Sequence, residues 1–212
     1  MKASDFKIID DDIRPYIVPG LSVAITVDDR LVFAKGYGFA DTASGRIVTP
    51  YSLFRMMSIS KSVTSTAVMK LVQQRRFNLT SKVFGPGSLT GDKYGDLVSI
   101  VGGVRQYNPG VTSVTVQNLL DQSGWGADSD PIDRFKNDPT LTPAKAVSQI
   151  VATVPLAHAP NTNHTYINFD YLVLGRLVAD FGETSDYESY VKQNILSVWC
   201  DQNVSRPASY HA

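Results

Sequence analysis

A single cysteine, Cys200, occurs in 212 residues. It excludes an internal disulfide framework and supplies no paired thiols for zinc, so the fold must hold by packing, with Cys200 as a small apolar residue near the end of the chain. Excess charge of either sign is absent too. Lysine plus arginine and aspartate plus glutamate both number 20, and the basic residues are scattered, which excludes recruitment of nucleic acid or of an anionic membrane surface. No apolar run reaches bilayer length. Residues Met1 to Lys7 lead into Asp10-Asp11-Asp12 without the apolar segment of a secretory leader, so the chain reads as soluble and cytoplasmic. On that reading the acceptor patterns at Asn78, Asn163 and Asn203 are chance matches. Histidine is scarce: His158, His164 and His211 lack metal-ligand spacing. The glycine runs Gly85-Pro86-Gly87 and Gly102-Gly103 are not followed by the Gly-Lys-Ser/Thr of a phosphate loop. No metal or cofactor is expected.

What is present has clear periods. Residues 6 to 18 read as a short helix stopped by Pro19-Gly20. Leu21, Val23, Ile25 and Val27 then alternate with smaller residues as a half-buried strand, Asp28-Asp29-Arg30 makes a turn, and residues 31 to 39 return as a second strand. From Ser58 to Gln74 the period changes. Ile59, Val63, Ala67 and Leu71 fall four apart, with Val68 and Val72 beside them, which predicts a helix with one buried face. The glycine-rich stretch 84 to 115 has no sustained period and reads as a long surface excursion. Helical spacing returns at residues 116 to 122, 143 to 153, 171 to 181 and 187 to 199. The order predicts an α+β chain, an antiparallel sheet with a helical region, organised as one domain over residues 1 to 212. Two strands alone make a marginal ribbon in water, so the sheet reads as incomplete.

Within the first long helix, Ser58-Ile59-Ser60-Lys61 places a hydroxyl and an amine three apart on one face. A serine hydroxyl is a poor nucleophile near neutral pH and needs a base within hydrogen-bond reach; lysine serves where burial or nearby positive charge lowers its pKa. The helix N-terminus adds positive potential, and the backbone N–H of Ser58 can face an oxyanion. The same residues would equally serve a capping serine, at Ser58 or Ser60, with a solvated lysine. The apolar approach Leu53 to Met57 and the buried continuation Ser62 to Val72 favour a rigidly held nucleophile.

Phe54-Arg55-Met56-Met57-Ser58-Ile59-Ser60-Lys61-Ser62-Val63-Thr64 closely resembles the signature of the serine β-lactamase family in its broad sense, which includes class C enzymes, DD-peptidases and esterases. Pro19 to Ala24 and Lys35 to Asp41 resemble that family's opening hairpin. Val114 to Trp125 resembles a helix followed by a His-x-Gly-like turn, with Gln122 where histidine is frequent. Thr165-Tyr166-Ile167-Asn168 resembles its Tyr-x-Asn motif; a surface turn with buried aromatics is the plainer reading of those residues by themselves. The resemblance implies a β-lactamase/transpeptidase-like fold and acyl-enzyme chemistry on an ester, amide or β-lactam. It also implies Ser58, Lys61 and Tyr166 as catalytic residues, and Asn168 and Gln122 as substrate-binding ones.

One element of the pattern has no counterpart. No Lys-Thr-Gly-like motif follows Tyr166, and Lys93-Tyr94-Gly95 precedes it in a turn-rich stretch. The expectation is therefore a domain lacking its C-terminal strands, with an exposed sheet edge open to self-association. Its partner would be a small-molecule or peptide substrate. Three functions stay open at this point: a working hydrolase, a noncatalytic binding or scaffold protein, and a gene fragment, to which the tail Trp199 to Ala212 lends weight.

Overall fold

The computed structural model describes residues 18–126, 130–132, 138 and 140–197. The helix expected at residues 6 to 18 lies outside them but for Val18, as do Cys200 and the tail. The chain divides into two compact units, residues 1–56 and 57–212, where the sequence suggests one domain.

In the first unit, β1 (Gly20–Val27), β2 (Arg30–Asp41) and β3 (Arg46–Ile47) form an antiparallel sheet in the order β1-β2-β3. Val27 pairs with Arg30, so the turn is only Asp28-Asp29, and Arg30 belongs to the strand. Both aspartates have positive φ, 49° and 60°, the backbone that a two-residue hairpin needs to match strand twist. Leu21, Val23 and Ile25 are half-buried while Ser22, Ala24 and Thr26 are exposed, the alternation the sequence predicts. Gly36 is required by packing, because a Cβ there would lie 2.3 Å from the carbonyl oxygen of Val48. Val48 is the one buried residue among those described in this unit.

The second unit opens with a 3-10 turn, Met57–Ile59, leading into α1 (Ser60–Gln73). The helix therefore starts two residues later than its period suggests, and Ile59 points outward instead of into the core. Thr64, Ala67, Val68 and Leu71 form its buried stripe. β4 (Ile100–Val101) and β5 (Val104–Arg105) make a small separate hairpin. Then follow α2 (Val116–Leu120), α3 (Pro143–Thr153), α4 (Asn168–Phe181) and α5 (Tyr187–Val191), the last continuing as a π turn, Lys192–Leu196. Side chains define these starts. Thr115 and Asn118 close a reciprocal capping box on α2, Thr142 accepts from Lys145 N–H ahead of Pro143, and Asp186 accepts from Ser189 N–H.

The stretch 84 to 115 is not the surface excursion its glycines suggest. Phe84, Tyr94, Val98, Val111 and Val114 are all buried in the core. Its glycines form turns between these anchors, a spacing that follows no helix or strand period. Tyr94 hydrogen-bonds Asp180 and accepts from Arg176 Nε, while Lys93 pairs with Asp180 at 2.6 Å, so Lys93-Tyr94-Gly95 is fastened to α4. Trp125 meets Phe84 and Phe169 edge to face, with centroids 6.0 and 4.8 Å apart. Helices α1 and α4 pack directly on each other. Among the described residues no helix is long and apolar enough to cross a membrane.

Candidate active site

Four side chains named from sequence meet at the N-terminal ends of α1 and α4. Lys61 Nζ donates to Asn168 Oδ1 at 2.6 Å, to the Tyr166 hydroxyl at 2.7 Å and to Ser58 Oγ at 3.3 Å. The Tyr166 hydroxyl in turn donates to Ser58 Oγ in a short hydrogen bond. Residues 105 and 107 positions apart thus surround one amine. The Lys61 ammonium also lies 4.5 Å from the Tyr166 ring centroid and 5.6 Å from that of Tyr171. The hydrogen bond from Lys61 holds the Tyr166 hydroxyl below its ordinary pKa, because a donor to its oxygen favours the phenolate, and the Ser58 hydroxyl adds to this when it turns to donate.

The backbone beneath this cluster is unusual. Met57, immediately before Ser58, has a φ of 47°, a left-handed conformation that costs a non-glycine residue about 1–3 kcal/mol. The strained residue lifts Ser58 out of the regular helix, onto the 3-10 turn ahead of it.

On the opposite side, α4 begins at Asn168, whose backbone N–H donates to Asp130 in a short hydrogen bond. Sequence reasoning passes over Asp130, and the one local signal is a carboxylate followed by proline. An acidic partner suits the positive end of a helix. Phe169 and Asp170 turn inward from the same helix start, so core packing fixes the direction in which Asn168 leaves it. Asp170 is fully buried. Burial raises its carboxyl well above the ordinary range, an effect only partly offset by the facing N–H groups of Trp125 and Gly124, and neither carboxyl oxygen closes a hydrogen bond.

Gln122 has a different part from the substrate contact expected of it. It is buried, and its amide is spent on Ile167: Nε2 donates to the Ile167 carbonyl at 3.1 Å, and Oε1 accepts from the Ile167 N–H at 3.0 Å. Its own carbonyl accepts from Thr165 N–H at 2.9 Å. Gln122 therefore grips the backbone on both sides of Tyr166. Its amide offers one donor and one acceptor to the backbone of a single residue, which positions the chain after Tyr166. Among the described residues no group of three or more His, Cys, Asp or Glu could hold a metal ion.

The chain as a whole is similar to several known proteins. The chain is 26% identical over 191 residues to Protein flp of Staphylococcus aureus strain N315, covering 90% of this chain and 35% of that protein. It spans about a third of the length of such curated relatives. The octameric penicillin-binding protein homologue from Pyrococcus abyssi superposes with a TM-score of 0.69 at 25% identity, over 93% of this chain and 43% of that one. The D-amino acid amidase from Ochrobactrum anthropi SV3, solved with L-phenylalanine, gives 0.71 at 20% identity, over 93% and 49%. These likenesses identify the fold as the β-lactamase/transpeptidase type, present here in part. Since the Beta-lactamase family model also matches residues 7–201, nearly the whole sequence, the chain belongs to the beta-lactamase family.

Proposed function

We propose that the chain carries the nucleophilic half of a serine hydrolase, which acylates Ser58 with an ester, amide or β-lactam and then releases the acyl group to water. The observation that carries this reading is the closed set of contacts among Ser58, Lys61, Tyr166 and Asn168. In the reacting form Tyr166 is the phenolate that Lys61 favours, and the Tyr166–Ser58 hydrogen bond reverses so that Ser58 donates. The proton passes to Tyr166 as Oγ bonds to the substrate carbonyl carbon, and Tyr166 returns it to the leaving oxygen or nitrogen as that bond breaks. Water follows the same route in deacylation, giving its proton to Tyr166 and restoring the Ser58 hydroxyl. Asn168 holds Lys61 against the tyrosine, and the Ser58 N–H offers one oxyanion donor. Loss of a single oxyanion donor costs about two to three orders of magnitude in rate, in acylation and deacylation alike, since both pass through an oxyanion.

Incubation with a fluorophosphonate or a labelled penicillin, followed by peptide mapping, tests the assignment. Label is expected on Ser58 and abolished in Ser58→Ala. Lys61→Ala and Tyr166→Phe are each expected to slow it by about two to four orders of magnitude, with the double variant hardly slower than either single one. Label that survives Ser58→Ala would overturn Ser58 as the nucleophile, and no label at all would favour a noncatalytic scaffold.

A further inference from the structure

Beside Lys61 and Asn168 a pocket of about 470 Å³ runs between α1 and α4, within the size range of small-molecule sites. One wall is the α1 stripe Met57, Ser60, Lys61 and Thr64. The other is the α4 stripe Asn168, Tyr171, Leu172, Gly175 and Arg176, with Tyr187 and Ile132 alongside. From Asn168 to Gly175 is seven residues of helix, about 10 Å. The cavity thus extends along the two helices, with Lys61 at one end.

Several of the polar groups along it are already hydrogen-bonded within the protein. Thr64 Oγ1 and the Tyr187 hydroxyl share a hydrogen bond at 2.8 Å. The Tyr171 hydroxyl donates to the Leu120 carbonyl at 3.0 Å. At the far end Arg176 is spent on Tyr94 and Asp180. What faces the space is mainly aromatic and aliphatic surface. Gly175 lines the cavity on the α4 side. A Cβ added there meets Tyr187 ring carbons at 3.8 and 3.9 Å, ordinary contact, so the helix has room for a side chain and this chain has none. Glycine is disfavoured in a helix interior, and here its effect is to leave the pocket open two turns beyond Asn168.

We propose that this pocket binds a straight, uncharged alkyl chain, the acyl tail of the substrate that Ser58 attacks. The substrate class is then a medium-chain carboxylic ester or amide. The link to catalysis rests on Ser58 as nucleophile; the alkyl site itself does not. Each buried methylene is worth about fourfold in affinity, so chain length is the readout.

Two measurements separate the two claims. Decanol binding, followed by calorimetry on wild type and Ser58→Ala, is expected to saturate at one site with equal affinity in both. Gly175→Leu and Leu172→Trp, which fill the cavity from successive turns of α4, are expected to weaken it about tenfold or more, the cost of expelling about two methylenes. Circular dichroism identifies whichever variant is folded. The absence of saturable decanol binding by wild type, or unchanged binding by a folded variant, overturns the site. Ser58 labelling by decyl against ethyl fluorophosphonate is expected to favour decyl by about tenfold or more, a ratio that collapses in the filled variants. Equal rates in wild type overturn the link between pocket and nucleophile. Decanol binding with no labelling by either reagent leaves the alkyl site standing and sinks the hydrolase reading alone.

Discussion

The two units spend their apolar residues differently. In residues 18–56 the sheet is well paired through its backbone, yet Val27, Leu31, Val32, Phe39 and Ile47 remain exposed and Val48 alone is buried. In the second unit comparable residues close around Trp125, Phe84, Phe169, Leu174 and Leu177 in a continuous core. Hydrogen bonds exchange protein for water at modest net gain, whereas burial of apolar area supplies the main driving force. Stability therefore belongs to the helical unit, and every side chain of the Ser58 cluster lies in it. The sheet offers an edge and uncovered apolar surface, the features on which self-association through that edge is proposed.

Core truncation puts this contrast to its hardest test. Trp125→Ala is expected to cost about 3–5 kcal/mol in denaturant unfolding. Leu31→Ala, on the exposed sheet, should stay within about 0.5 kcal/mol. Similar losses at the two positions would show that the sheet carries core-like burial after all.

A smaller effect is expected where the core meets the site. Gln122→Ala strands the backbone N–H and carbonyl of Ile167, at about 1–3 kcal/mol, and should also slow Ser58 labelling because Tyr166 loses its backbone support. Gln122→His, which keeps one donor and one acceptor, should lose less. Labelling unaffected by Gln122→Ala would remove its positioning role.

The smallest effect concerns the exposed hydroxyl of Tyr166, where solvent screens the charges. Ultraviolet difference titration should find one tyrosine ionising below the ordinary range. Lys61→Ala should return it most of the way, and Ser58→Ala less, in the order of the two causes. The sign follows from a lowered folded pKa: any stability contribution is full above the unfolded tyrosine value and lost as pH falls through the folded one. A titration indifferent to Lys61→Ala would break the assignment.

Legibility in the sequence followed periodicity. The hairpin's alternation, the α1 stripe and the later helices were readable because half-buried strands and helices repeat every two or every three to four residues. The stretch 84 to 115 was not, since Tyr94, Val98, Val111 and Val114 enter the core from turns, which impose no period. Ser58, Lys61, Tyr166 and Asn168 were readable as two short motifs, and the structure brings the motifs together. The bond from Gln122 to Ile167 is not legible in the sequence, because an amide looks the same there whether it faces a ligand or the backbone. Asp130 and Asp170 carry no motif.

The sequence by itself determined where the later helices and the first hairpin run, and it put Ser58, Lys61, Tyr166 and Asn168 into two short motifs. Only the tertiary structure decided that Lys61 has three hydrogen-bond partners, that Gln122 holds the backbone on both sides of Tyr166, and that a cavity lies along α4 from Asn168 to Gly175. The reason is range. Local periods and motif spacings are set by contacts within a turn or a strand, but a site assembled across more than a hundred residues is fixed by packing, which no local pattern records.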